Sequence, residues 1–189
     1  MLIGSSMDLK EAIIIDPGCI DEKIINFIEV NDYALRGILL THDHQNHVNG
    51  LRTLKRIYDV PVYAMNHEIG DIKTILIKDG DKLRIGAFTI EVFSVPGHSA
   101  DSAVYKIGNI LFTGDSLTAG LIGSTNSSYG ATLERGVLRN KILSLPGDYV
   151  VLPAHGPPTT LEAERRFNIG FEQKKEQVSK QWQFIQEYL

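Results

Sequence analysis

Gly37-Ile38-Leu39-Leu40-Thr41-His42-Asp43-His44-Gln45-Asn46-His47 is the stretch whose reading decides the fold: an apolar run opens into a segment that holds three of the chain's six histidines. Residues two apart in an extended turn point the same way. His42 and His44 can therefore hold one ion, while His47, folded back where a helix begins, can face a second. Neutral imidazole is the commonest protein ligand for zinc and for metals of similar softness. The three rings crowd the mouth of an expected strand, where open sheets place their sites.

Working outward, three further β-like runs end in the same way. Residues 88–95 (Phe-Thr-Ile-Glu-Val-Phe-Ser-Val) lead into Pro96-Gly97-His98-Ser99, residues 110–113 into Gly114-Asp115-Ser116, and residues 149–152 into Pro153-Ala154-His155-Gly156-Pro157. Glycine and proline beside each polar residue let the backbone turn sharply toward a shared centre. Five histidines and a carboxylate converging from four strand ends suit two adjacent divalent ions.

The motifs resemble those of the metallo-β-lactamase-fold hydrolases, and most of all the glyoxalase II-like, or hydroxyacylglutathione hydrolase-like, branch. The family's HxHxDH pattern matches His42, His44, Asn46 and His47, and its later single ligands match His98, Asp115 and His155. Ile15-Asp16-Pro17-Gly18, Leu-Phe-Thr-Gly-Asp-Ser-Leu and Leu-Pro-Ala-His-Gly-Pro-Pro-Thr-Thr match its flanking patterns, and the likeness spans residues 2 to about 171. It implies a four-layer αββα sandwich. It also implies that His42, His44 and His98 form one metal site, that His47 and His155 contribute to a second, and that Asp115 bridges them. The cofactor implied is zinc, one or two ions, with iron or manganese as the alternative.

One departure stands out. Asn46 occupies the position of an aspartate that ligates the second metal. A neutral amide holds a divalent cation less well than a carboxylate does, so second-site affinity is expected to fall. Asparagine also does not titrate in the useful range, which removes a group able to pass a proton to the leaving atom. Asp115 and Asn46 are thus the positions on which catalysis turns. Two more departures touch the pocket: Gly123-Ser124-Thr125-Asn126 replaces a Gly-Arg-x-Asp run with neutral residues, and isoleucine stands for proline in the closing segment 164–171.

The expected activity is hydrolysis of a small-molecule ester or thioester by metal-activated water. Two alternatives belong to other classes. One is a mononuclear iron dioxygenase of a thiol or persulfide, built on His42, His98 and Asp115; the other is a metal-binding protein of the same fold without turnover.

Length and composition fit one domain over residues 1–189, with 43% hydrophobic residues available for a core. A net charge of -4 offers no basic surface for phosphate backbones, so a nucleic-acid substrate is not expected. No apolar run is long enough to span a membrane, and no leader pattern opens the chain. The lone Cys19 cannot form an internal disulfide, which fits a reducing, cytoplasmic setting. Cys19 reads as an ordinary turn cysteine and His67 as a surface histidine. Asp16, at a strand end beside the histidines, is expected to accept the outer N–H of a ligand imidazole. Oligomeric state has no signature.

Strands are expected at 10–15, 36–40 and 61–64. Two hairpins follow: 82–85 with 88–95 across Gly86-Ala87, and 102–107 with 110–113 across Gly108-Asn109. Helices are expected at 21–30 with Ile24, Ile25, Phe27 and Ile28 inward, through Val48, Leu51, Leu54 and Tyr58, at 133–143, and from 161 to about 188. Residues 2–4 read as the tail of an opening strand. Against the glyoxalase II-like pattern, no separate glutathione-gripping domain is expected in residues 156–189, which follow His155, and their last part, with Lys174, Lys175, Lys180, Trp182, Phe184, Ile185 and Tyr188, reads as an amphipathic helix on its own domain, with a substrate lid or dimer contact as the other use.

Overall fold

The computed structural model describes residues 2–4 and 9–171. Two sheets lie face to face. The first orders strands Leu2–Gly4, Glu11–Ile15, Ala34–Leu39, Val62–Ala64 and Ile75–Leu76, all parallel except the first. The second orders Thr159–Thr160, Val150–Pro153, Ile110–Gly114, Ala103–Ile107, Phe88–Ser94 and Lys82–Ile85, with Ile110–Gly114 and Val150–Pro153 parallel and the remaining pairs antiparallel.

Alternation along the strands builds the layers, because successive side chains leave opposite faces. Ala12 and Ile14 face Ile28, Leu51 and Leu54 of the helices Glu22–Val30 and Leu51–Ile57, whereas Ile13 and Ile15 face Ile90, Tyr105 and Phe112 of the other sheet. In the second sheet Ala103 and Tyr105 point inward, while Val104, Leu111 and Val151 meet Leu138, Ile142 and Leu161 outside. Glu11–Ile15 and Ile110–Gly114 are thus buried on both faces over most of their length, the condition that makes a run such as Ala12 to Ile15 continuously apolar. The result is the expected αββα sandwich. The Tyr105 hydroxyl, fully buried, donates to the Leu40 carbonyl and fastens one sheet to the other.

The hairpins fall where expected, with Ile85 opposite Phe88 and Ile107 opposite Ile110. The helices differ in four places. Phe27 is 51% exposed and stacks on Tyr33 instead of facing the core. The helix through Val48 and Leu54 is two, Gln45–Val48 and Leu51–Ile57, because the Gly50 N–H leaves the helical ladder to donate to the Pro17 carbonyl at 2.7 Å. The helix expected at 133–143 begins at Ser128, capped by the Ser127 hydroxyl on Gly130 N–H, and widens into a π turn over Leu138–Ile142. The helix expected from 161 ends at Phe167, since Asn168 turns out of it and donates its amide to the Leu121 carbonyl and Glu164. The stretch carrying Trp182 and its neighbours lies outside the described residues. Among those described, no helix is long and apolar enough to cross a membrane.

Candidate metal centre

Asp16, Thr41, His42, Asp115 and His155 sit just past the C-terminal ends of strands, and the turns and the short helix that follow carry His44, Asn46, His47 and His98, so the sheets deliver them to one rim of the sandwich. Thr41 begins the construction. Its backbone N–H and its hydroxyl donate to the two carboxylate oxygens of Asp16, each at 2.7 Å, and its carbonyl accepts from Ala103 N–H of the facing sheet at 2.8 Å. Thr41 Oγ1 also lies 3.0 Å from His42 Nδ1. Since the only hydroxyl hydrogen goes to Asp16, Oγ1 must accept from Nδ1–H, which leaves the Nε2 lone pair of buried His42 free to ligate. Gly114, at φ +53, passes directly over Thr41; a side chain there would strike the threonine.

His47, on the short helix Gln45–Val48, is equally buried. Its Nδ1 lies 3.0 Å from Asp16 Oδ2 and its Nε2 3.4 Å from Asp115 Oδ2. Burial alone would depress its pKa, but the carboxylates of Asp115 and Asp16 on either side carry it up to about 9. Burial, reinforced by the neighbouring His47, pushes His42 the other way, down to about 4. Asp115 is drawn below the usual carboxylate range: burial would raise it, and His47 and the other imidazoles outweigh that.

On the opposite side His98 Nδ1 donates to the Ser124 carbonyl at 2.8 Å, so its Nε2 faces inward, 3.0 Å from His44 Nδ1 and 3.7 Å from Asp115 Oδ2. His155 approaches from the end of Val150–Pro153, with Nε2 3.7 Å from Asp115 Oδ1 and 2.9 Å from the Asn46 amide nitrogen. The structure therefore brings all seven sequence-derived positions, His42, His44, Asn46, His47, His98, Asp115 and His155, to one rim.

The donor chemistry fits a divalent cation. His42 Nε2, His47 Nε2 and Asp115 Oδ1 are buried polar atoms without a hydrogen-bond partner, and such atoms are costly unless something satisfies them. Their ligand atoms fall into two compact groups, His42 with His44 and His98, and His42 with His47 and Asp115. Beside them opens a pocket of about 200 Å³ whose walls include Ile15, Cys19, Phe112 and Leu152. Cys19 is an exposed free thiol, and His67 stands outside the cluster on the surface.

Sequence reasoning placed Asp16 behind a ligand but missed three supports. Thr41 could have been found from its position immediately before the His-x-His motif. Ser124 acts through its backbone, which no side-chain pattern reveals. Glu134 lies fully buried beneath the Gly97–His98 turn with neither carboxylate oxygen hydrogen-bonded, and burial lifts its pKa to about 7 against a partial offset from His98 N–H and Arg135.

The family model for the Metallo-beta-lactamase superfamily matches residues 8–74. Hydroxyacylglutathione hydrolase GloC of Haemophilus influenzae is 31% identical over 186 residues, covering 85% of this chain and 87% of that protein. The chain belongs to the metallo-β-lactamase superfamily. A hydroxyacylglutathione hydrolase of Hahella chejuensis is 32% identical over 153 residues, but this superfamily member spans only 58% of its length. Among solved structures, the BLEG-1 B3 metallo-β-lactamase is similar with a TM-score of 0.78 at 31% identity, over 91% of this chain and 93% of that one. ETHE1 from Myxococcus xanthus follows with 0.76 at 26% identity, over 88% and 76%. Superfamily membership and the His/Asp cluster together make this a divalent-metal protein.

Proposed function

We propose that this metallo-β-lactamase superfamily member is a cytoplasmic hydrolase of small thioesters or esters that uses zinc. The observation that carries the reading is the convergence of partnerless His42 Nε2, His47 Nε2 and Asp115 Oδ1 beside a largely apolar pocket. His42, His44 and His98 would hold an ion, with Asp115 reaching across to the side of His47, Asn46 and His155. When bound, such an ion supplies a water of lowered pKa and an electrophile for a carbonyl oxygen.

The chain's own groups do the rest. Asp16 and Thr41 fix the tautomers of His47 and His42, the Ser124 carbonyl fixes that of His98, and Asp115 stays anionic to orient the nucleophilic water. Ile15, Phe112 and Leu152 offer an acyl group an apolar wall. Asn46 has no proton to give, so the leaving group must depart as an anion. A thiolate, with a pKa near ~8.5, does so far more readily than an alkoxide or an amine. The relatives named hydroxyacylglutathione hydrolases support a thioester. Zinc-loaded protein should cleave acyl-thioesters and lose that activity to a chelator; loaded protein that leaves every thioester and ester intact would overturn the reading.

A second reading has the same donors hold iron. His42 and His98 lie 4.0 and 3.7 Å from Asp115, a two-histidine, one-carboxylate set suited to oxygen chemistry on a thiol or persulfide. Elemental analysis of purified protein separates the two.

A further inference from the structure

His42 belongs to both donor groups, one with His44 and His98 and the other with His47 and Asp115. Its Nδ1 hydrogen is committed to Thr41, so Nε2 offers one lone pair, and one lone pair ligates one ion. The two groups are therefore alternative seats for a single ion unless another donor completes the second. His155 is the donor that lies in reach, with Nε2 3.7 Å from Asp115 Oδ1.

Asn46 stands in the way. Its side-chain amide lies 2.9 Å from that same His155 Nε2. With the amide nitrogen toward the ring, the lone pair of Nε2 accepts an amide hydrogen. With the amide turned over and the ring proton on Nε2, Nε2–H donates to the oxygen and has no lone pair left. In either pairing an ion at the second position must first break this contact, as an ion at the first must part His44 Nδ1 from His98 Nε2 at 3.0 Å. At the first position the three imidazoles of His42, His44 and His98 offset that cost, whereas the second has no anionic oxygen besides Asp115 to do so. The pair is held in place from both sides: the Ala154 N–H donates to the Gly114 carbonyl at 3.0 Å, and Gly18, having no side chain, lets its backbone press against the Asn46 carbonyl.

We propose that Asn46 and His155 form a neutral hydrogen-bonded lock that closes the second metal position, so that each chain holds one divalent ion tightly, at the His42 cluster. This rests on the metallo-hydrolase reading of the site and adds its stoichiometry. Asp115 is the only carboxylate among the grouped donors, and a second 2+ charge would have to enter with no anionic oxygen of its own.

The test is zinc loading of the full chain, removal of excess by desalting, and elemental analysis. Wild type should retain about one zinc per chain and Asn46→Asp about two, with the second equivalent binding at least about tenfold more tightly in the variant. His155→Ala should keep the one zinc with unchanged affinity. Nitrogen NMR of the wild-type imidazoles supplies a readout that needs no variant to fold: a second zinc equivalent should leave the His155 Nε2 resonance where it was. Two tightly held ions in wild type, loss of the retained ion in His155→Ala, or a zinc-induced shift of His155 Nε2 would each overturn the lock. One zinc without turnover on any ester or thioester would sink the functional reading and leave the lock standing, and two zincs with turnover would do the reverse.

Discussion

His47 Nδ1 lies 3.0 Å from Asp16 Oδ2, and the aspartate that makes this contact sits at φ +50, in the left-handed region that few residues other than glycine, asparagine and aspartate enter. The backbone turn at the end of Glu11–Ile15 is what swings the carboxylate under the histidine loop. Asp16 also takes two hydrogens from Thr41, so both of its oxygens are engaged by the loop that carries the imidazoles. Asp16→Asn must turn an amide N–H toward one of these donors. The expected result is a loss of about 1–3 kcal/mol in stability, read by denaturant unfolding, and a fall of about 10–100-fold in zinc affinity, read by competition with a chromogenic chelator. Wild-type affinity in this variant would mean that Asp16 only props the turn.

Removing a cluster member should differ sharply from removing a surface histidine. His42→Ala and Asp115→Ala are each expected to lower hydrolysis by at least about a hundredfold, since each removes more than the supporting contacts that by themselves cost 10–100-fold. His67→Ala should stay near wild type, because His67 is exposed and away from the strand ends. Circular dichroism of all three separates lost chemistry from lost folding, and equal losses in all three would contradict the assignment.

Glu134 predicts a pH dependence of stability. Its folded pKa of about 7 lies above the ordinary 4.5, so between those values the folded state holds a proton that the unfolded chain has released. Stability contributed by this group is complete below about pH 4.5 and lost as pH rises toward 7. The loss amounts to about 3 kcal/mol for a fully buried carboxyl shifted by that much. Glu134→Gln cannot ionise, so its stability measured against wild type should improve by that order between pH 4.5 and 8. A difference that stays constant over the range would mean the carboxyl is ionised in the folded protein throughout.

The sequence made the strand ends legible because each carried a rare residue between turn-formers: His98 after Pro-Gly, Asp115 after Gly, His155 after Pro-Ala. Burial on both faces of the central strands was legible too, as runs such as Ala12 to Ile15 with no polar interruption. What stayed hidden depended on contacts between distant segments. The Gly50 N–H finds Pro17, and Asn168 finds Leu121, and each ends a helix that periodicity alone would continue. Ser127 as a cap was hidden for a local reason, since Tyr129 and Gly130 are poor advertisements for a helix start. The partnership of Asn46 with His155 spans more than a hundred residues and exists only once both sheets have closed.

Asn46 also shapes which bonds should break. Its amide cannot hand a proton to a departing atom, so in wild type the rate should fall steeply as the leaving group becomes more basic. Across thioesters, aryl esters and alkyl esters of one acyl group, wild-type kcat/KM should track leaving-group pKa, with thiolates, near ~8.5, well ahead of alkoxides. A β-lactam, whose leaving atom is nitrogen, should be the slowest substrate of the set despite the structural likeness to a B3 metallo-β-lactamase. Asn46→Asp adds a titratable group 2.9 Å from His155 in place of the amide. In that variant, loaded with a single zinc equivalent so that the carboxyl is free, the slope should flatten, because the basic leaving groups gain an acid and the thiolates gain little. Comparing slopes, and not rates, keeps a change in metal content from mimicking the effect, since a metal change alters all substrates together. Equal rates for the β-lactam and the thioester in wild type would refute both the proton argument and the choice of thioester.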